Sequence, residues 1–266
     1  MTESDLNILL LTMDEPMYMP QYLEPILRDH REAVSEVVIA PHPGEGLRTI
    51  LRQRFDMFGP MAFLRYGVQY GVGTALGSLP ASWQQGLTDR YHSVPSVAAA
   101  SDIPVRVEED INRKCFLTHV QDLDIDLILS IACGQKLDAE LLELPSKGAI
   151  NLHGSLLPKY RGRATAFWVL YHDEDYSGVT AHYMTTDLDA GDIVCQHRFP
   201  IAADDTMHDV YLKIVDTGAD VAHEVIEQVE GGTVETRPNP SEEGEYRSLP
   251  ERAARREFRR RENRFR

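Results

Sequence analysis

The 266-residue chain is long enough to bury a full hydrophobic core, as one large domain or two small ones, and its 42% hydrophobic content is too high for disorder. Its formal charge of -15 sets 42 acidic residues against 27 basic ones, only five of them lysine, a field that repels phosphate backbones and disfavours nucleic acid as a partner. Cys115, Cys133 and Cys195 are far apart and form no CxxC pair, which argues against a disulfide framework or a zinc site and for a reducing cytosol.

Met1 to Asp5 is acidic and lacks the basic n-region of a secretory signal. A buried strand is predicted at Asn7–Leu11, a helix over Pro20–His30 with Pro25 expected to bend it, and a second strand at Val37–Ala40. Met57 to Leu79 is almost wholly apolar or glycine, with Arg65 its only charge. Its length of ~20 residues could span a bilayer, but its glycines and the lack of flanking Lys and Arg argue against insertion. Burial on the body or a subunit contact is the first expectation for it, with a homodimer in view, and a membrane-surface patch the second. Glycines 67, 71, 73 and 77 are expected to permit close backbone approach there.

Further on, the pattern gives a helix around Asn112–Gln121, a strand at Leu127–Ala132, a helix at Ala139–Leu144 and a strand at Ala149–Leu152. Short apolar strands alternating with helices predict an α/β fold with a doubly wound, mostly parallel sheet. A helix at Thr165–Tyr171 follows, then strands at Val179–Met184 and Ile193–Phe199 around a turn at Leu188–Asp192. A long amphipathic helix comes next, with Met207, Val210, Ile214, Val221, Val225 and Val229 on one face, Asp204 or Asp205 as N-cap and Gly231-Gly232 as its stop. The tail, Glu251–Arg266, holds eight Arg against three Glu and is expected as a terminal helix paired with the acidic body.

The densest chemical signal lies between Asn151 and Asp192. Asn151 and His153 alternate at the carboxyl end of a strand, so their side chains share the face where open α/β sheets bind ligands. A histidine there relays protons near neutral pH, an asparagine amide donates to an oxyanion, and Asp189 on a nearby turn holds the imidazole. Other constellations are weaker. No GxGxxG or P-loop is present, and Ser155 lacks a nucleophile elbow. His172, Asp173, Asp175 and His182 match no metal-ligand spacing and are expected on the solvated surface, with Asp192 a turn residue.

The string Asn151-Leu-His153, Ser155-Leu156-Leu157-Pro158 and, 38 residues after the Asn, Asp189 in a Leu-Asp-x-Gly turn resembles the 10-formyltetrahydrofolate-dependent formyltransferases. The resemblance covers residues 6–40 and 120–230. It implies a formyltransferase-type Rossmann-like domain over 1–240, with an apolar insert at about 46–95 and an Arg-rich C-terminal extension at 241–266. It also implies an enzyme with 10-formyltetrahydrofolate as donor and no metal. An amine attacks the formyl carbon, Asn151 and protonated His153 stabilise the oxyanion, and Asp189 assists proton transfer. By the same analogy Cys133, Gly134, Gln135, Leu137 and Leu188 line the folate pocket, although the family more often has an aromatic at Cys133 and a Pro at Asp138. A small-molecule amine, such as a nucleotide-linked amino sugar, is the expected acceptor. Methionyl-tRNA is the exception to test among nucleic acids, and it is the less favoured acceptor, because the tRNA enzyme of the family carries a further C-terminal β-barrel domain of ~80–100 residues that does not fit the 34 residues after Gly232. Hydrolysis of formylfolate, with water as acceptor, and a non-catalytic folate- or nucleotide-binding module are two further readings of the same residues. Scarce lysine with abundant acid further suggests a salt-adapted cytoplasmic protein.

Overall fold

The computed structural model describes residues 6–42 and 47–261. Strands β1 (Ile8–Thr12), β2 (Val34–Ile39), β3 (Val105–Val107), β4 (Leu127–Ile131), β5 (Ala149–His153), β6 (Arg161–Gly162), β7 (Tyr176–Tyr183), β8 (Ile193–Pro200) and β9 (Tyr246–Arg247) form two sheets. The larger has the order β3-β2-β1-β4-β5-β7-β8. It is parallel from β3 to β5 and antiparallel across β5–β7 and β7–β8. The chain starts at β1 in the middle and winds outward both ways, which leaves a topological switch point between β1 and β4.

Helices α1 (Met19–Asp29), α2 (Leu47–Gly77), α3 (Ala81–Thr88), α4 (Val94–Ala100), α5 (Lys114–Asp122), α6 (Ala139–Leu142), α7 (Thr165–Tyr171), α8 (Met207–Glu230) and α9 (Arg252–Arg260) surround it. All five residues of β1 are buried, and the pleat sends Ile8 and Leu10 to one core and Leu9 and Leu11 to the other. The first core takes Tyr22, Leu23 and Ile26 of α1 and Val221, Val225 and Ile226 of α8. The second takes Phe116 and Val120 of α5 and Leu141 of α6. Covering both faces is what a continuous apolar β-run requires.

The expected doubly wound, mostly parallel sheet is present, with shifts in detail. β1 and β2 are displaced by one to three residues from their predicted ends, and α1 continues through Pro25. β3 escapes the sequence pattern because it is three residues long and incompletely buried, held by Val37 N–H to Pro104 O at 2.9 Å and Glu108 N–H to Ile39 O at 2.9 Å. The N-cap of α8 is Thr206, not Asp204 or Asp205. Thr206 and Asp209 form a capping box, whereas Asp205 accepts from Ala202 N–H at 2.8 Å and closes the preceding turn.

The apolar insert is helical and turns much of itself outward on the single chain, so that burial on the body holds only for its inner flank, while Tyr66 lines the cavity described below. α2 is interrupted at Gly59 (φ 75°), directly before Pro60, which opens the second half. Gly73 approaches Pro16, and Gly77 approaches His92 and Ser93. Gly67 and Gly71 face open space instead. Met61, Leu64, Val68 and Val72 are all exposed, Met61 at 81%. Among the described residues no helix is long and apolar enough to cross a membrane. At the other end of the chain, Phe258 of α9 is buried against Phe167 of α7, with ring centroids 4.9 Å apart. Arg261 donates to Tyr171 O at 3.0 Å and to Glu257 at 3.1 Å, so the tail is clipped to the body as far as it is described. The predicted N-terminal stretch Met1–Asp5 and residues 262–266 of the tail lie outside the described residues.

Candidate active site

Sheet register brings the site together. Ser130 of β4 lies beside Asn151 of β5, and Asn151 lies opposite His182 of β7. Ser130 donates its hydroxyl to Asn151 Oδ1 at 2.9 Å, which fixes the amide so that Nδ2 points the other way. That nitrogen lies 3.3 Å from His182 Nε2, while His182 Nδ1 donates to Tyr183 O at 2.8 Å. The pair of contacts assigns the tautomer: a proton on Nδ1, and Nε2 accepting from Asn151.

His153, one pleat further on, donates from Nε2 to Tyr160 O at 2.9 Å. The Ser155-Leu-Leu-Pro158 segment sets that carbonyl in place. Ser155 is fully buried and donates to Lys159 O at 3.1 Å, which removes it as a nucleophile. Thr180 Oγ1 donates to Ser155 O at 2.6 Å and accepts from Leu157 N–H at 3.1 Å. The motif is therefore a brace for the histidine loop.

Asp189 sits on the turn between β7 and β8 with φ 51°. Its Oδ2 accepts from Gly162 N–H at 2.7 Å, and Asn239 donates to its main-chain oxygen at 3.0 Å. Its Oδ1 lies 3.7 Å from both His153 Nδ1 and His182 Nε2. Those gaps are too long for direct hydrogen bonds and leave room for a polar group among the three side chains. Burial raises the Asp189 pKa, but His153, His182 and the Gly162 N–H together outweigh it and hold the carboxyl well below its ordinary range. Burial lowers the His153 pKa, opposed by Asp189, so the imidazole is poised toward its neutral form.

These groups line a cavity of about 550 Å³ over the carboxyl edge of the sheet. Every predicted pocket residue lines it too: Cys133, Gly134, Gln135, Leu137 and Leu188. Gly134 is required there, because a Cβ would come 2.6 Å from Ala40 O. The Gln135 amide is engaged by the separate segment that follows β3, donating to Glu108 O and Glu109 O and accepting from Ile111 N–H, so it ties that segment to the cavity wall. Burial pushes the Cys133 thiol up to about 11, which leaves it an inert apolar liner.

His172, Asp173 and Asp175 are exposed, as expected, but His182 is only 2% exposed and is part of the site, correcting its assignment to solvated surface. Its spacing from Thr180 in a predicted strand puts it on an inward face; the missing knowledge is that β7 pairs with β5. Asp192 is an exposed turn residue. Sequence reasoning also misses Glu15, Tyr18, Tyr66, Arg163 and Tyr246, which line the cavity from separate segments. No local pattern links them.

A doubly wound sheet whose switch from parallel to antiparallel carries Asn, His and Asp over its carboxyl edge defines an α/β class with a ligand cleft at that edge. Within that class the chain belongs to the formyl transferase family, whose profile matches residues 81–227, more than half of the chain. It is 32% identical over 169 residues to a methionyl-tRNA formyltransferase of Agathobacter rectalis, a match that covers 62% of this chain and 53% of that protein. The chain thus spans about half the length of that relative. Among solved structures, it resembles an N-formyltransferase from Helicobacter canadensis in complex with folinic acid and dTDP-3-aminofucose, with TM-score 0.60, 19% identity, and coverage of 91% of this chain and 71% of that one. A glycinamide ribonucleotide transformylase from Symbiobacterium toebii superposes with TM-score 0.59 and 18% identity over 88% and 93% of the two chains.

Proposed function

We propose that the protein transfers a formyl group from 10-formyltetrahydrofolate to the primary amine of a small molecule. The observation that carries this reading is the convergence of Asn151, His153 and Asp189 in one cavity of a size suited to a small-molecule cosubstrate. Asn151 holds one amide N–H toward His182 and keeps the second for the oxyanion that forms as the amine adds to the formyl carbon. His153 takes a proton at Nδ1 when charge develops, and Asp189 stabilises that imidazolium across the 3.7 Å gap. Asp189 also relays the proton from the incoming amine toward the departing folate nitrogen. His182 keeps Asn151 oriented. The main chain around Ala132–Lys136 supplies the wall on which the planar donor rests, with Gly134 allowing that loop to pass close to Ala40.

A nucleotide-linked amino sugar is the favoured acceptor. The Helicobacter canadensis neighbour holds a nucleotide-linked amino sugar, and the chain's charge of -15 disfavours a nucleic-acid surface. Methionyl-tRNA is the second reading, favoured by the Agathobacter rectalis relative. A cytoplasmic, salt-adapted setting belongs to the same proposal, as does the division into a catalytic body over 1–240, with its insert at about 46–95, and an extension over 241–266.

The test is to supply 10-formyltetrahydrofolate with a panel of amines, including amino sugar nucleotides and methionyl-tRNA, and to identify products by mass. Formylation of a small amine is expected. Product only with methionyl-tRNA selects the second reading, and formate released without any amine makes the protein a hydrolase. Folate binding by fluorescence with no product at all reduces it to a binding module.

A further inference from the structure

We infer that α2 and α9 together form a surface that docks on an anionic lipid bilayer. Met61, Leu64, Val68 and Val72 make one outward stripe on α2, and Trp83 and Leu87 of the adjoining α3 are exposed as well, at 63% and 65%. From Met57 to Thr88 the sequence holds no Asp or Glu, although acids make up 42 of 266 residues, about one in six. The charge of the protein is therefore reversed locally. α9 packs against α2, and the Arg259 side chain lies at the Gly59 break, where its Nη1 would come 3.1 Å from an added Cβ. Phe258 anchors α9 inward, so Arg252, Arg256 and Arg260, spaced four apart, stay exposed along the opposite face.

Exposed apolar side chains that include a tryptophan, with exposed arginines on the helix packed beside them, are the composition that inserts shallowly among acyl chains while its cations meet lipid phosphates. A second copy is a poorer occupant, because a symmetric dimer through this face would bring two sets of exposed arginines onto one interface. Spanning is not available to these helices. The geometry also sets the lipid face beside the cleft, since Tyr66 on the same helix lines the cavity.

Flotation with phosphatidylcholine vesicles containing phosphatidylglycerol, at about 0.1 M salt, tests this. The full chain should float with them, and less with pure phosphatidylcholine. Leu64→Asp with Val68→Asp should abolish flotation. Replacing Arg252, Arg256 and Arg260 together with Gln should weaken partition on the order of a hundredfold, about fivefold per arginine. All five side chains are exposed, so melting curves of both variants should match the parent. Failure of the parent to float, or a double variant that floats as well as the parent, overturns the inference. So does a dimeric mass in sedimentation that the double variant converts to a monomer, because a second copy would then own the face.

Discussion

The carboxyl edge of the sheet and the outer face of α2 are opposites in how they meet their surroundings. At the edge, Ser130, Asn151, His182 and the Tyr183 carbonyl form a chain of hydrogen bonds in a largely buried setting, and Asp189 is tied by Gly162 and Asn239. Such a network fixes polar groups before any ligand arrives, which is how dipoles stabilise developing charge without reorganising. On α2, large apolar side chains stand in solvent and only the inner flank is packed. One region acts by preorganised polarity and the other by unsatisfied apolar surface. Substitutions should therefore separate them: the first should alter turnover, the second association.

The largest effect is expected at the edge. Asn151→Ala or His153→Ala should lower kcat by ~100-fold or more with donor affinity nearly unchanged, because in the proposed mechanism each acts on transition-state charge. Steady-state kinetics beside a folate fluorescence titration checks this, and Leu64→Asp should leave the same kcat intact. Near-normal turnover in either alanine variant would overturn the mechanism.

Acid should expose the same network through stability. The Asp189 pKa is depressed in the folded state, so its contribution is complete above the ordinary carboxylate range near pH 4 and is lost as pH falls through the lower folded value. The stability deficit of Asp189→Asn in urea melts should shrink as the buffer becomes more acidic. The His153 pKa is depressed as well, so the unfolded chain takes up the proton first. The parent should lose stability as pH drops below about 6.5, and His153→Gln should flatten that slope. Parallel slopes for the two proteins would show that His153 stays solvated.

How much of this is legible in the sequence depends on the range of the interactions. Alternation alone puts Asn151 and His153 on one face, because a pleat repeats every two residues. The Leu-Asp-x-Gly turn locates Asp189. His182 needs the β5–β7 register, which no local pattern carries, and its spacing to other candidate ligands therefore misdirects it to the surface. Tyr66 and Tyr246 come from segments outside residues 81–227, and only the tertiary fold brings them to the cavity. The insert stands out by its missing charges, but its exposure does not follow from them, because composition does not say which side of a helix faces the body.

A moderate effect is expected from salt. Crowded carboxylates on a chain of charge -15 repel one another, and salt screens that repulsion over about 8–10 Å at physiological strength and more tightly above it. Thermal scans from low to molar salt should show a rising melting temperature. A flat or falling curve removes salt adaptation from the reading and leaves the site untouched.

The smallest effects lie within α2, and they decide whether its outer face is free in solution. Gly67 and Gly71 have open space where a Cβ would go, and their helical backbone suits alanine. Substituting either with Ala should stabilise by about 0.5–1 kcal/mol, since the unfolded chain loses freedom and nothing clashes. On a chain of this length that is a rise of roughly 1–3 °C in melting temperature. Gly77 is the contrast: an added Cβ would come 2.8 Å from His92 O, a backbone atom with little room to yield. Gly77→Ala should cost about 1–3 kcal/mol, as overpacking does. Gly73 falls between them, with Pro16 Cβ at 3.2 Å. The order Gly67 and Gly71 above the parent, Gly73 near it and Gly77 below maps the packed flank directly. If Gly67→Ala and Gly71→Ala destabilise as much as Gly77→Ala in dilute lipid-free solution, a second polypeptide already covers that face.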